Sequence, residues 1–325
     1  MGYALRARAQ QPVRQPMVAV LSPDPAGPST CDAGAVGFPV ACLRDGLSAL
    51  GYVEGRNITF EYRFSDGDFQ KMTAMAAELV ALRPDVLYTV GTQGADAAAK
   101  ATVTIPIVVG LAGEPTLNRL AGNLARPMGN LTGFTTGSFG YETIEKCLQL
   151  LKELAPRTTR VAVIHHPDNK LIWPNIDVLA AAAGQLGIGL LNVGARDGSE
   201  LPQAFATILA GGADAIYISP ENMLGGSPEV RKQVSDWALG HRMPSASTFA
   251  HFTVDGGLVS LGPDFAAITR RSAFYVHRLL GGARPGDLPV ERATIFKLSV
   301  NRKTAAALGL PIPKALLLRA DEVIQ

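Results

Sequence analysis

The chain has 325 residues, of which 47% are hydrophobic and 18% charged, and 30 basic against 28 acidic side chains give it a net charge of +2. This composition excludes a disordered chain, and the length favours two domains of ordinary size. Because the charges balance and no basic run occurs, the sequence lacks the electrostatic footprint of a nucleic-acid-binding protein.

The first residues indicate export. An Ala7-Arg8-Ala9 triplet is typical of the end of a secretory signal, although no apolar stretch precedes it. We therefore expect residues 1–16 to be the remnant of an export signal or a tail, with a mature chain that begins near Gln10 and resides in the periplasm. No segment reaches the roughly 18 uninterrupted apolar residues that would span a bilayer.

Strands and helices alternate through the first 136 residues. Met72, Met75, Leu79 and Leu82 recur at helical spacing, and residues 95–101 indicate another helix. Strands are predicted at 17–21, 58–64, 85–90, 105–111 and 131–136. This order is what a parallel sheet covered by helices requires. The residues between the third strand and its helix, 91–94, are predicted to form a turn where such sheets bind ligands.

The same alternation returns in the middle of the chain. Helices are predicted at 141–154, 172–186, 200–209 and 229–240, and strands at 160–165, 189–193 and 213–219. Two similar halves are therefore expected, each an open α/β sheet whose strand carboxyl ends face a shared cleft.

Six segments, in order from about Met17 to Gln325, resemble the substrate-binding proteins of bacterial ABC importers with a type I periplasmic-binding fold. The group is the one whose relatives include tryptophan-binding lipoproteins. The segments are GLSALGYVEGRNITFEYRFSDGD, AAELVALRPDVLYTVGTQGADAAAKATVTIPIVVG, ARPMGNLTGFTT, KCLQLLKELAPRTTRVAVIHHPDN, VDGGLVSLGPD and DLPVERATIFKLSVNRKTAAALGLPIPKALLLRADEVI.

The resemblance implies two doubly wound Rossmann-like domains joined by a three-crossing hinge. Residues 17–133 and 254–287 would form the N-terminal lobe, and residues 134–253 and 288–325 the C-terminal lobe. Strand 256–261 and helix 266–280 would then return to the first lobe, and strand 293–300 to the second. The crossings are expected near 133–137, 252–255 and 286–290, where Gly and Pro suit segments that bend.

The resemblance also implies a function. The chain would bind a small solute, an amino acid or an aromatic or other small organic acid, and deliver it as a monomer to an ABC permease and its ATPase. No nucleophile elbow, P-loop or H-E-x-x-H spacing occurs, which favours binding over catalysis, and residues 91–94 lack a dinucleotide fingerprint, so no cofactor is expected. The alternatives are a receptor subunit for a membrane sensor and an α/β enzyme with an unrecognised site.

Three cysteines occur. Cys31 and Cys42 would close a short loop in an oxidising periplasm, the alternative being two buried thiols that never meet. Cys147 lies among Ile144, Leu148 and Leu151 at helical spacing, which indicates an inert core residue. No metal site is expected, because neither the cysteines nor the five histidines show ligand spacing.

Polar residues at the carboxyl ends of predicted strands are the candidate ligand-binding residues. They are Ser22, Thr92, Gln93 and Glu114 in the first half, Thr135 and Thr136 at the crossover, and His166, Asn169, Ser219, Glu221, Ser247 and Phe249 in the second half. For each one a turn or capping role is the alternative.

An amino acid or a similar zwitterion would satisfy the expected site. Helix N-termini that follow these strands would hold a carboxylate, and Glu114, where relatives usually have Asp, would accept an ammonium. Relatives commonly have an aromatic residue where Ser247 stands and an arginine where Ala250 stands, so the resemblance leaves the solute's identity open.

Overall fold

The computed structural model describes residues 14–23, 31, 40–66, 68–136, 139–167, 176–219, 224 and 227–325. The expected export-signal remnant, apart from residues 14–16, lies outside this part of the chain. The expected start of a helix at 172–175 also lies outside it.

Residues 17–135 alternate strand and helix as predicted. The elements are β1 (Met17–Ser22), α1 (Val40–Ala49), β2 (Thr59–Phe64), α2 (Phe69–Ala81), β3 (Val86–Thr89), α3 (Gly91–Ala101), β4 (Ile107–Ala112), α4 (Glu114–Ala121) and β5 (Leu131–Thr135). Strands β1, β3 and β4 are almost entirely buried, which is why they read as continuous apolar runs. Asp68 caps α2 by accepting hydrogen bonds from the Gln70 and Lys71 amides.

The middle of the chain forms a second series. It consists of α5 (Phe139–Leu154), β6 (Arg160–His165), α6 (Ile176–Gln185), β7 (Gly189–Gly194), α7 (Leu201–Ala210), β8 (Ala215–Ile218), α8 (Pro228–Gly240) and β9 (Ser245–Ser247). The last part adds β10 (Val259–Pro263), α9 (Phe265–Leu280), β11 (Glu291–Arg292), β12 (Phe296–Asn301), α10 (Arg302–Leu308), α11 (Lys314–Arg319) and β13 (Glu322–Ile324).

Within the described residues the strands make two sheets. The first has the order β11-β5-β4-β3-β1-β2 and is parallel throughout. The second has the order β13-β12-β10-β9-β8-β6-β7, in which β12 pairs antiparallel with β10. Side chains alternate between the two faces of each sheet, so Val18 and Val20 pack in the cluster with α1 and α9, whereas Ala19 and Leu21 pack in the cluster with α2 and α3.

Two expected strand assignments are wrong. The strand expected at 256–261 is β10, which extends the second sheet beside β9 and does not return to the first. The apolar pattern of β10 suits either sheet, and its place is set by pairing with β12. Residues 288–292, expected in the second lobe, stay with the first sheet, because β11 pairs with β5 and Val290 donates its amide to the Leu124 oxygen.

Three segments connect the two sheets, and they lie side by side. One follows β5, the second is Asp264 between β10 and α9, and the third is 293–295 between β11 and β12. The Ala293 amide donates to the Thr135 oxygen at 2.8 Å, and the Asp264 amide donates to the Ile295 oxygen at 3.0 Å. The second and third crossings lie several residues further along the chain than expected.

At three places an aspartate just before a strand forms hydrogen bonds to the start of the neighbouring strand. Asp85 donates its amide to the Met17 oxygen and accepts the Met17 amide on its carboxylate at 2.7 Å. Asp214 does the same with Arg160, and Asp321 with Leu298. Because β3 and β8 follow Asp85 and Asp214 at corresponding positions, the two sheets share a local device for fixing strand register.

Candidate functional site

The carboxyl ends of the two sheets face each other. Phe69 begins α2, directly beyond the end of β2, and His166 directly follows β6. Their ring centroids are 6.2 Å apart in an edge-on arrangement. Since one ring belongs to the first sheet's edge and the other to the second's, this contact spans the cleft that the sequence predicts.

The first candidate residues lie at the edge of the first sheet. Residues 91–94 do not form a separate turn but are the first turn of α3, because Gly91 at φ +77° lets the chain enter the helix directly from β3. Thr92 is buried and accepts the Gly113 amide on its hydroxyl at 3.0 Å, which ties the N-termini of α3 and α4 together. Gln93 is half-buried in the same turn.

Glu114 places a negative charge at this edge. It begins α4, where the positive end of the helix dipole stabilises a carboxylate. Its side chain, only 13% exposed, accepts two hydrogen bonds from the guanidinium of Arg292, from Nε at 3.1 Å and from Nη2 at 3.0 Å. Sequence reasoning missed Arg292, because only the pairing of β11 with β5 brings it here.

Three candidate residues are held by the backbone around them. Thr135 is buried and donates its hydroxyl to the Ala112 oxygen at 3.0 Å, while the Thr136 amide donates to the same oxygen. These bonds hold β5 to β4 where the register shifts between Val109 and Ala112. Ser22 is buried at the end of β1 and accepts the Ser65 amide on its backbone oxygen.

In the second sheet, Ser219 and Ser247 are fully buried. Ser247 donates its hydroxyl to the Ile218 oxygen and accepts the Phe249 amide, so it shapes the turn after β9. The Ser219 hydroxyl has no hydrogen-bond partner among the described residues, and neither has the buried hydroxyl of Ser65 at the end of β2. Each sheet therefore presents one unsatisfied buried hydroxyl at its carboxyl edge.

A buried arginine adjoins these residues. Arg231, in the first turn of α8 and 1% exposed, donates from Nε to Asp255 and lies over the Phe249 ring at 5.0 Å. Burial lowers the pKa of Arg231, and the Asp255 carboxylate opposes that shift. The other face of the site is apolar, because Phe249 packs on Phe265 at 5.3 Å. Nothing in the local sequence distinguishes Arg231 from the solvent-exposed Lys232 beside it.

His166 and its neighbour complete the described candidates. His166 is half-buried beside Phe69, and burial is the main cause that lowers the pKa of the adjacent His165. Asn169 and Glu221 lie outside the described residues.

Cys31 and Cys42 are joined by a disulfide bond, with Cα atoms 4.7 Å apart, that ties the chain after β1 to the buried face of α1. Cys147 is fully buried in the second sheet's core. The described residues contain no group of three potential metal ligands and no helix long and apolar enough to cross a membrane.

Two doubly wound α/β sheets with facing carboxyl edges define a two-lobed binding protein of the type I periplasmic-binding fold. The family described as ABC transporter substrate binding protein matches residues 35–324, and the chain belongs to this family. The predicted family and fold class are thereby confirmed. Membership supports a binding role and not a catalytic one, and substrate-binding proteins of ABC importers act outside the cytoplasm.

Similar proteins agree with this assignment. A tyrosine-binding protein of Clostridioides difficile (strain R20291) is 26% identical over 264 residues, which are 81% of this chain and 74% of that protein. The crystal structure of a conserved domain protein from Vibrio cholerae superposes with a TM-score of 0.83 and 29% identity, over 95% of this chain and 100% of the other. An ABC domain from Streptococcus pneumonia in complex with L-Trp superposes with a TM-score of 0.82 and 23% identity, over 96% and 100% of the two chains.

Proposed function

We propose that this protein is the periplasmic solute-binding component of an ABC importer, and that it carries an aromatic amino acid to a membrane permease and its ATPase. The observation that carries the proposal is the meeting of two polar sheet edges at the rings of Phe69 and His166. The two rings offer an aromatic surface on which a flat side chain can pack, and the N-termini of α3 and α4 suit a carboxylate. The tyrosine-binding relative and the L-Trp complex support the aromatic class.

The unsatisfied hydroxyls of Ser65 and Ser219 support a polar solute. A buried hydroxyl without a partner costs about 1–3 kcal/mol, and a solute that supplies a partner recovers that cost. Ser65 and Ser219 lie on opposite sheets, so one solute bonded to both would favour the arrangement in which the sheets are close together.

Binding is proposed to close the cleft. The three adjacent crossings allow one sheet to rotate against the other. The solute stabilises the closed arrangement by the difference between its binding free energies for the closed and the open arrangement. The lobes would then be bounded by the chain that follows β5, by Asp264 and by residues 293–295. A micromolar dissociation constant corresponds to about −8 kcal/mol, which a buried aromatic ring and a few hydrogen bonds to charged groups would supply.

Isothermal titration calorimetry with L-tyrosine, L-tryptophan and L-phenylalanine tests the proposal. At least one should bind, and at 100 times its dissociation constant it should add about 2.7 kcal/mol to the free energy of unfolding. Mass spectrometry should recover the solute unchanged, and small-angle scattering should show a smaller radius of gyration with solute bound. Failure of all three to bind, or conversion of a bound solute, would contradict the proposal.

The importer role is tested separately. In proteoliposomes that contain the cognate permease and its ATPase, the solute-loaded protein should stimulate ATP hydrolysis more than the solute-free protein. Solute binding without such stimulation would favour a receptor subunit for a membrane sensor.

A further inference from the structure

We infer that Arg292 recognises the carboxylate of the solute, and that the Glu114–Arg292 ion pair opens to receive a zwitterion. This inference rests on the proposed function, because it concerns the same cleft. Arg292 is the last residue of β11 and lies opposite Thr135 at the carboxyl end of β5. Glu114 begins α4 directly beyond β4. Both charges are therefore at the carboxyl edge where a solute would bind.

The ion pair is not what holds β11 in place. Glu291, on the opposite face of the strand, accepts two hydrogen bonds from Arg271 at 2.8 Å and a third from the Tyr275 hydroxyl. The backbone of the same segment is bonded on both sides of β11: the Leu288 oxygen accepts the Thr132 hydroxyl, and the Ala293 amide donates to the Thr135 oxygen. Opening the Glu114–Arg292 pair would leave these bonds intact.

The pair is placed to exchange partners. The Arg292 side chain is 57% exposed, so its bond to Glu114 competes with water and is weak. Glu114 is only 13% exposed, but it lies in the first turn of α4, where the positive end of the helix dipole stabilises a carboxylate. The helix N-terminus therefore compensates part of the Glu114 charge while Arg292 changes partner.

A zwitterion fits this exchange and a singly charged solute does not. An amino acid brings a carboxylate for the planar fork of Arg292 and an ammonium for Glu114, so both protein charges remain paired when water leaves the cleft. An amine would leave Arg292 without a partner, and a carboxylic acid would leave Glu114 without one. Because an unpaired charge in a closed site is costly, the pair would select for zwitterions.

The experiment compares Arg292→Gln, Glu114→Gln and the control Arg271→Gln. Arg271 makes the same kind of bidentate bond on the other face of β11, outside the cleft. Calorimetry would measure three solutes for each protein: L-tyrosine, tyramine and 3-(4-hydroxyphenyl)propionate, with the tryptophan series in parallel. Thermal unfolding of each variant shows whether it is folded. A fourth variant, Arg292→Lys, keeps the positive charge but lacks the planar guanidinium that bonds a carboxylate through two N–H groups.

We expect the wild type to prefer the amino acid to either analogue by about 100-fold. Arg292→Gln should weaken binding of the amino acid by at least about tenfold, whereas binding of the amine should not weaken and should strengthen where the unpaired Arg292 had opposed it. Glu114→Gln should weaken binding of the amino acid but not binding of the deaminated acid. The affinity of Arg292→Lys for the amino acid should lie between those of Arg292→Gln and the wild type. The control Arg271→Gln should lose thermal stability but keep both affinity and selectivity.

Three results would overturn the inference in different ways. If the wild type binds an aromatic amino acid and Arg292→Gln binds it equally well, Arg292 does not recognise the carboxylate and the proposed function stands. If Arg271→Gln loses affinity as much as Arg292→Gln does, the effect comes from β11 as a whole and not from recognition. If the wild type binds no solute of either series, the proposed function and this inference fail together.

Discussion

Cys147 shows how burial changes the chemistry of a single side chain. Its thiol is fully buried and donates a hydrogen bond to the Ser247 oxygen at 3.3 Å. Burial raises the pKa of this thiol from 9.0 to about 12. The raised pKa agrees with the inert core residue that helical spacing predicts, since the reactive form of a cysteine is the thiolate.

A pH prediction follows from the raised pKa of Cys147. Above pH 9 the unfolded thiol loses its proton while the native thiol keeps its own until about pH 12, so rising pH favours unfolding over that window. The stabilising contribution is complete below pH 9 and falls above it. Urea unfolding at about pH 8 and about pH 10.5 should show a larger loss for the wild type than for Cys147→Ala. Equal losses would contradict the assigned pKa.

Gly262 is the residue at which the backbone of β10 approaches its neighbour most closely. A Cβ atom there would overlap the carbonyl oxygen of Thr248. Gly262→Ala should therefore lower the free energy of unfolding by about 1–3 kcal/mol, measured by urea denaturation. Gly184→Ala, on the exposed side of α6 with nothing within 4 Å, is the control and should be neutral or slightly stabilising. If both variants behaved alike, the close approach at Gly262 would be disproved.

Single residues differ in how far the sequence predicts them. Glu114 and Ser219 are recognisable because each directly follows an apolar strand pattern. Arg292 and Arg231 are not, because their positions depend on pairing between segments far apart in the chain. A two-residue strand such as β11 has no detectable periodicity, so nothing local indicates that Arg292 reaches the cleft.

At the scale of elements, the sequence predicts where strands occur better than it predicts which strands pair with each other. The hydrophobic periods of β1, β3 and β6 give their positions to within a few residues, and parallel sheets follow from their alternation with helices. The sequence predicts β10 in the wrong sheet, because its pattern is equally apolar in either place. Sheet membership comes from long-range pairing, which a local period does not contain.

The aspartates that precede β3, β8 and β13 are predicted to stabilise the sheets by fixing register. Asp214 accepts hydrogen bonds from the Thr159 amide, the Thr159 hydroxyl and the Arg160 amide at 2.7–3.0 Å. Asp214→Ala should lower the free energy of unfolding by about 1–3 kcal/mol, measured by chemical denaturation.

Asp236 is the matched control for Asp214. It is exposed and pairs with Lys232 one helical turn away, so Asp236→Ala should change stability by less than about 0.5 kcal/mol. A loss for Asp236→Ala as large as that for Asp214→Ala would mean that the strand-start bonds have no special role.

At the scale of the whole molecule, the Phe69–His166 contact links the two sheets across the cleft. If solute binding closes the cleft, Phe69→Ala should speed solute dissociation by up to about tenfold, because an aromatic pair contributes about 0.5–1.5 kcal/mol. Stopped-flow fluorescence measures this rate. Phe274→Ala, on an exposed position of α9 away from the cleft, should leave the rate unchanged. An unaltered rate in Phe69→Ala would exclude a role for this ring in retaining the solute.

The three crossings between the sheets have a mechanical consequence. Their backbones are hydrogen-bonded in a row, through Thr135 with Ala293 and Ile295 with Asp264. Segments joined in this way cannot bend independently, so if solute binding closes the cleft, the two halves would rotate about a single axis. We therefore expect the molecule to populate a few discrete angles and not a broad spread of twists. A membrane permease could then distinguish the solute-bound from the solute-free protein by the angle between the two halves.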